Sequence, residues 1–394
     1  MAKFVFINLP SRSHINPTLP VVQELIARGD EVIYYLTAPF RQLIEATGAM
    51  FRSYESKIAV INKTAFSSGK PVGLPMYMLD ESLFVIPQLL EEIRKEQPDC
   101  IVYDTMCLSG RIVAEILHIP AVQHRMMFVF TRQLANIFKE NAFQDPEGLQ
   151  AFQASMRKLC NEYHVKPFHI GSIFTHEDEL NIVTLPRAFQ INEDFFGEQY
   201  CFVGSSIAPR QEQIEFPFEQ LKQQSVIYIS QGTVYNDRPD FFNLCFAAFA
   251  ETPWKVVMSI GHNVDQQKLA SVPSNFIVQT YVPQLEILKH ASICITHGSM
   301  ATISEALATG VPLIVVPPPL ADHVVNAKRI DELGLGLMLP YASITAEMLR
   351  NGVSRVSSDP TFYARIHQMQ EEVHKAGGYQ RSADALQAFV KLQV

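Results

Sequence analysis

The sequence predicts an α/β protein built from two Rossmann-like, doubly wound parallel-sheet domains. Three observations carry that expectation. Short apolar runs alternate with helical segments from the start of the chain, the same alternation begins again at Ser225, and the stretch between is polar and proline-punctuated, from Ala208-Pro209-Arg210-Gln211-Glu212-Gln213 to Phe216-Pro217. A chain of 394 residues with 47% hydrophobic residues is also too long for one ordinary core. The expected division is a domain over 1–208, a linker over 209–222, a second domain over 223–376 and a terminal helix over 377–394.

The first cycle opens with a strand over Lys3 to Leu9. A helix with Asn16 as cap and Pro17 at its first position then closes at Gly29, and a strand over Glu31 to Leu36 follows. A helix around Leu83 to Gln97 ends before Pro98. The strand Cys100 to Asp104, another helix and the short strand Pro120 to Arg125 come next. The second cycle runs through strands Ser225 to Ile229, Trp254 to Met258, Asn275 to Val278, Ser292 to Thr296 and Pro312 to Val316. Between the cycles, Phe128 to His176 reads as irregular helix. Phe128, Phe130, Phe138, Phe143, Phe152 and Met156 there are mostly core residues, with a minority available to line a pocket for an apolar molecule. Ala383, Ala385, Leu386, Phe389 and Val390 fall at helical spacing in the last helix, which on spacing alone packs on its own domain.

Charge and cysteine usage exclude several function classes. The formal net charge is −8 with no concentrated basic block, so a nucleic-acid partner is not expected. The six cysteines are scattered without a CxxC pair and read as buried free thiols. Met1-Ala2-Lys3 leads straight into a strand, and no apolar run approaches the roughly 20 residues that span a bilayer, so a cytoplasmic protein without stable membrane insertion is expected. No Asp-x-Asp element and no HExxH-like histidine spacing occur, so no metal is expected.

Two groups of residues carry candidate chemistry. His14 follows the first strand and Asp104 ends a later one; in a sheet of order 3-2-1-4 those strands are neighbours at the point where ligands bind. A carboxylate behind a neutral imidazole fixes its tautomer, which makes a general base with an orienter. In the second domain, Ser292 to Thr296 delivers His297 to the carboxyl edge of a sheet. Gly298-Ser299 then start a helix to Thr309 whose unpaired N–H groups suit an anion. His297 and Thr302 can donate hydrogen bonds there, and Thr302 shares a helical face with Glu305, whose carboxylate can accept from vicinal hydroxyls. Gly232-Thr233 form a second short loop able to approach phosphates closely. For Gln284 and Thr233 a role as cap or turn residue competes on chemistry alone, and Asp322 could simply cap a helix over Val324 to Leu333.

Residues 281–327 resemble the donor-binding signature of UDP-dependent glycosyltransferases, specifically the bacterial macrolide group and its plant and animal relatives. Further matches are Ser11-Arg12-Ser13-His14-Ile15-Asn16-Pro17, Cys100 to Asp104, Phe202-Val203-Gly204 and Tyr228 to Val234, which in order and spacing cover nearly the whole chain. The resemblance implies the glycosyltransferase B fold, with the two domains facing a central cleft and the terminal helix crossing back to the first domain. It also implies that Tyr281 stacks on the base beside Val282, that Gln284 and Glu305 hold the ribose, and that Asp322-His323 hold sugar hydroxyls. The diphosphate falls to His297, Gly298, Ser299 and Thr302. The implied activity is inverting, metal-independent transfer of a hexose from a UDP-sugar to a hydroxyl of an apolar small molecule such as a macrolide or phenolic, with His14 as base. UDP-sugar is then a co-substrate and no cofactor is needed; a monomer or weak dimer suffices.

The chain departs from the pattern at five places, one of them Tyr281, which stands where relatives usually have Trp and can stack as well. Ser13 stands where relatives have Gly, and could tilt His14 or narrow its entrance. Ser299 and Ala301 replace Gly and Asn, which predicts weaker donor binding. His323 replaces Gln, which leaves glucose first and galactose or another hexose behind it. These departures motivate a rival reading, a catalytically impaired homologue that binds a ligand or partner; a UDP-sugar epimerase is a third.

Overall fold

The structure, a computed structural model, describes residues 1–58, 73–131, 145–209, 214–232 and 236–393. It divides into two compact units, Met1–Ile207 with Ala376–Val394, and Ala208–Lys375. Each unit is a parallel sheet covered by helices.

In the first unit the strands are β1 (Lys3–Ile7), β2 (Glu31–Leu36), β3 (Met50–Ser53), β4 (Cys100–Asp104), β5 (Ala121–Arg125), β6 (Leu180–Val183) and β7 (Tyr200–Phe202). Their order is β3-β2-β1-β4-β5-β6-β7, every pair parallel. β1, β2 and β4 are largely apolar runs because both faces of the sheet are covered there. Val5, Ile7, Ile101 and Tyr103 pack on one side against the helices Gly73–Glu96, Leu108–Leu117 and Pro146–Tyr163. Phe4, Phe6, Tyr34 and Val102 pack on the other side against Leu19–Ala27 and against Ala383, Leu386, Phe389 and Val390 of the terminal helix Gly378–Gln393. Each such fully buried side chain contributes on the order of 1.5–3 kcal/mol.

In the second unit β8 (Val226–Ser230), β9 (Lys255–Ser259), β10 (Phe276–Gln279), β11 (Ala291–Thr296), β12 (Leu313–Val315) and β13 (Gly336–Met338) pair in the order β10-β9-β8-β11-β12-β13, again all parallel. One face carries Ile227, Ile229, Val256, Met258, Ile293 and Ile295 under a run of phenylalanines, Phe241, Phe242, Phe246 and Phe249. The six thiols are free.

Three local expectations are corrected. The helix expected to open at Asn16-Pro17 is Leu19–Ala27, preceded by a separate turn of helix, Arg12–Ile15, with Asn16 at its C-terminal end. The buried Thr18 hydroxyl separates them by donating to the Ile15 carbonyl (2.8 Å) and meeting the Tyr34 hydroxyl (2.8 Å). The helix expected over Leu83 to Gln97 is longer, Gly73–Glu96, with Pro87 inside it. Asp322 is not a cap but lies in the first turn of the helix Ala321–Glu332, which Leu320 precedes. Of the apolar residues expected in the irregular region, Phe128, Phe152 and Met156 are buried; Phe138 and Phe143 lie outside the described residues.

Candidate active site

In the first unit, β1 and β4 are neighbours, so the segments leaving their carboxyl ends lie side by side. His14 sits on the one-turn helix Arg12–Ile15, and its Nδ1 is 2.6 Å from Asp104 Oδ2 at the end of β4. The pair is asymmetric: the carboxylate side chain is 1% exposed and the imidazole 19%. Each partner is held from behind. The Met106 backbone N–H donates to Asp104 Oδ1 (2.8 Å), and Asn8, just past β1, donates from Nδ2 to the His14 carbonyl (3.0 Å). A carboxylate only accepts, so the shared proton sits on Nδ1 and Nε2 is left as the basic nitrogen. Ser13 does not tilt this arrangement: its backbone has no positive φ, and its hydroxyl meets that of Ser11 at 3.0 Å.

Sequence reasoning missed a third group. His124 on β5 is the register partner of Asp104 and is fully buried, with no hydrogen-bond partner for either ring nitrogen. Burial first, and then the nearby His14, push its imidazole down to about 4, against the opposing pull of Asp104. A neutral imidazole therefore backs the dyad. On a strand that reads Ala-Val-Gln-His-Arg, one polar residue among three carries no signal beyond its position.

In the second unit the corresponding neighbours are β8 and β11. Gly232 follows β8 with φ +73°, and a Cβ there would lie 2.6 Å from both Cε1 and Nε2 of His297, so only glycine lets this loop cross the imidazole. The Asn236 amide, also buried, donates to the Gly232 carbonyl (2.8 Å). Thr233 lies outside the described residues.

His297 is buried, and desolvation together with the neighbouring His323 lowers it to about 3. The two rings lie 5.0 Å apart between centroids. His297 Nδ1 lies 3.3 Å from Thr296 Oγ1. Gly298 (φ +97°) follows, with its carbonyl held by Asn326 Nδ2 at 2.9 Å. Ser299 precedes the helix Met300–Thr309 without capping it; its hydroxyl donates to Thr302 Oγ1 (3.1 Å) instead. The first-turn N–H groups are thus left for a ligand.

Gln284 and Glu305 come together: Gln284 Nε2 donates to Glu305 Oε2 at 2.8 Å, and the Tyr228 hydroxyl donates to Gln284 Oε1 at 2.9 Å. Tyr281 is half-buried, whereas Val282 is buried. Asp322 is exposed with Oδ1 3.1 Å from His323 Nδ1, and the His323 ring is buried. Among the described residues no three His, Cys, Asp or Glu side chains cluster to hold a metal ion, and no helix is long and apolar enough to cross a membrane.

Known proteins resemble this chain along nearly its whole length. The model of the erythromycin biosynthesis protein CIII-like C-terminal domain matches residues 244–386. NDP-glycosyltransferase YjiC of Bacillus subtilis (strain 168) is 34% identical over 387 residues, covering 98% of this chain and 96% of that protein. Oleandomycin glycosyltransferase of Streptomyces antibioticus is 28% identical over 393 residues, covering 98% and 90%. The crystal structure of the calicheamicin glycosyltransferase CalG4 superposes with a TM-score of 0.84 at 29% identity, covering 99% of this chain and 98% of that one. Fold and likeness together define the class, a glycosyltransferase of the B fold. Within that class the chain belongs to the bacterial NDP-glycosyltransferase family that includes the macrolide glycosyltransferases.

Proposed function

We propose that this glycosyltransferase moves a hexose from a UDP-sugar, UDP-glucose first, to a hydroxyl of an apolar natural product, a macrolide or a phenolic, with inversion and without a metal. The observation that carries the reading is the 2.6 Å contact between His14 and the buried Asp104. His14 Nε2 takes the acceptor proton, the acceptor oxygen bonds to the anomeric carbon, and the bond from that carbon to UDP breaks with its electrons going to the β-phosphate. Asp104 fixes the imidazole and offsets the charge it gains. Attack opposite the leaving group gives a β-glycoside from an α-linked donor.

In the second unit, Tyr281 stacks on the base, Gln284 and Glu305 take the ribose, and Asp322 and His323 take sugar hydroxyls. The diphosphate is received by His297, Gly298, Ser299 and Thr302, the loop Gly232-Thr233 and the first-turn N–H groups of the helix Met300–Thr309. Preorganised donors of this kind meet leaving-group charge without Mg²⁺. A macrolide acceptor is supported by the likeness to oleandomycin glycosyltransferase. Incubation with UDP-glucose and a panel of macrolides and phenolics, read by mass spectrometry, tests the activity. Replacing His14 by Ala should abolish transfer while leaving UDP affinity nearly unchanged; retained turnover would remove the base. The rival of an impaired homologue, motivated by Ser299 and Ala301, requires that calorimetry detect no UDP binding at millimolar nucleotide.

A further inference from the structure

One line of hydrogen bonds in the second unit runs from the buried Tyr228 to the Glu305 carboxylate. Tyr228 donates to Gln284 Oε1 (2.9 Å), and Gln284 Nε2 donates to Glu305 Oε2 (2.8 Å). The orientation of the Gln284 amide is not arbitrary. A carboxylate can only accept, so the NH₂ must face Glu305, and the carbonyl oxygen is then turned to a group that can donate. Tyr228 is that group. Its ring is fully buried on β8, and burial holds the phenol well above its ordinary range, so it stays a neutral donor.

We propose that Tyr228 is a positioning residue for donor selection: by locking the Gln284 amide it fixes the Glu305 carboxylate in the orientation that reads the ribose 2′-hydroxyl, and so lets the enzyme prefer a ribonucleotide over a 2′-deoxyribonucleotide diphosphate sugar. The inference rests on the reading of Glu305 as the ribose ligand. Without the phenolic hydroxyl the amide can rotate, its oxygen can oppose the carboxylate, and Glu305 is released from one defined geometry. A carboxylate held in one place penalises a ligand lacking the hydroxyl, because the site keeps an unpaired polar group; a loose one does not.

Calorimetry of the full chain with UDP and with 2′-deoxy-UDP, which share base and diphosphate, tests this. Wild type should bind UDP more tightly by roughly tenfold or more, the scale of one hydrogen bond to a charged group. Tyr228→Phe removes one oxygen from a buried ring, and its melting temperature checks its fold. It should weaken UDP roughly five- to tenfold while moving 2′-deoxy-UDP less than about twofold, so that the preference collapses. With UDP-glucose as donor the change should appear in KM and leave kcat nearly unchanged. Equal weakening of both nucleotides, or no weakening of either, overturns the proposal. Should Tyr228→Phe fail to fold, Tyr228→Met, which fills the site without a hydroxyl, carries the same test: it should cost UDP more than 2′-deoxy-UDP, and equal losses again overturn it. Wild type that binds UDP and 2′-deoxy-UDP equally refutes the selection alone, whereas wild type that binds neither removes the donor-site reading together with it.

Discussion

Asp104→Asn is the sharpest test of the proposed base. Asparagine keeps the shape and can still accept from the Met106 N–H, so the turn after β4 should survive. What changes is charge and tautomer. With N and O 2.6 Å apart, the charge centres of an imidazolium and this carboxylate lie about 4 Å apart, an attraction of ~4 kcal/mol at an effective dielectric constant of ~20. If the proton is half transferred at the transition state, about half of that, ~2 kcal/mol, is lost from the barrier, or roughly 30-fold in rate. The Asn amide can in addition donate to Nδ1, which leaves the proton on Nε2 and removes the base from part of the population, on the order of another tenfold. The expected outcome is kcat lower by ~10²–10³ with KM for the UDP-sugar within about twofold, because Asp104 is not among the donor-binding residues. Steady-state kinetics with saturating acceptor reads this directly. A kcat within about threefold of wild type would refute the assignment, since no arrangement of a neutral amide replaces the charge.

Further outcomes follow from the geometry. Gly232→Ala would set a Cβ 2.6 Å from the His297 ring at φ +73°, so UDP affinity measured by calorimetry should fall at least about tenfold, with ~1–2 kcal/mol lost from stability. His124 is held at about 4 and His297 at about 3, so both stay neutral in the folded chain while the unfolded chain protonates them near pH 6.5. Their folded values are depressed bases, so stability falls as pH drops from about 6.5 towards 4, by up to ~2 kcal/mol per imidazole at pH 5. Urea unfolding at pH 7.5 and 5 checks the sign, and His124→Leu should flatten the dependence. Leu386→Ala in the terminal helix empties a fully buried site and should cost ~2–5 kcal/mol, whereas Arg28→Ala breaks a partly exposed 2.6 Å pair with Asp384 and should cost under ~1 kcal/mol, both read by chemical denaturation. A chelator should leave transfer unchanged if the diphosphate is met by backbone N–H groups alone.

The strands read from the sequence matched to within a residue or two because their signal is local, as in Cys100 to Asp104 and Glu31 to Leu36, whereas the short strands Met50–Ser53, Leu180–Val183, Tyr200–Phe202 and Gly336–Met338 were missed, being three or four residues long. The turn holding His14 was also missed. Whether Asn16-Pro17 opens a helix depends on the Thr18 hydroxyl reaching Tyr34 on a neighbouring strand, a tertiary contact that a capping pattern does not encode. The candidate site divides the same way. His14 and Asp104 were paired by strand order together with the family motif, and Gln284 and Glu305 were assigned by the family resemblance. Asn8, His124, Asn326 and Tyr228 were not, because their work is to orient other groups, and in sequence they look like ordinary strand, helix or turn residues.

The two units use one topological device for two different tasks. In each, the first and fourth strands of the sheet are adjacent, so the turn after the first and the last residues of the fourth are brought together whatever their identity. In the first unit those places hold an imidazole and a buried carboxylate, which together fix the tautomer of the imidazole. In the second they hold a glycine with positive φ and a histidine that the glycine crosses, and the following helix is left uncapped. The difference in chemistry then comes from a handful of substitutions at equivalent points of the same architecture. A side chain after the first strand of unit two would block the anion edge, just as a glycine at position 14 would remove the base. Exchanging the two roles therefore requires changing both partners at a switch point together, and a single substitution at either should disable its own unit's function while leaving the other's fold intact.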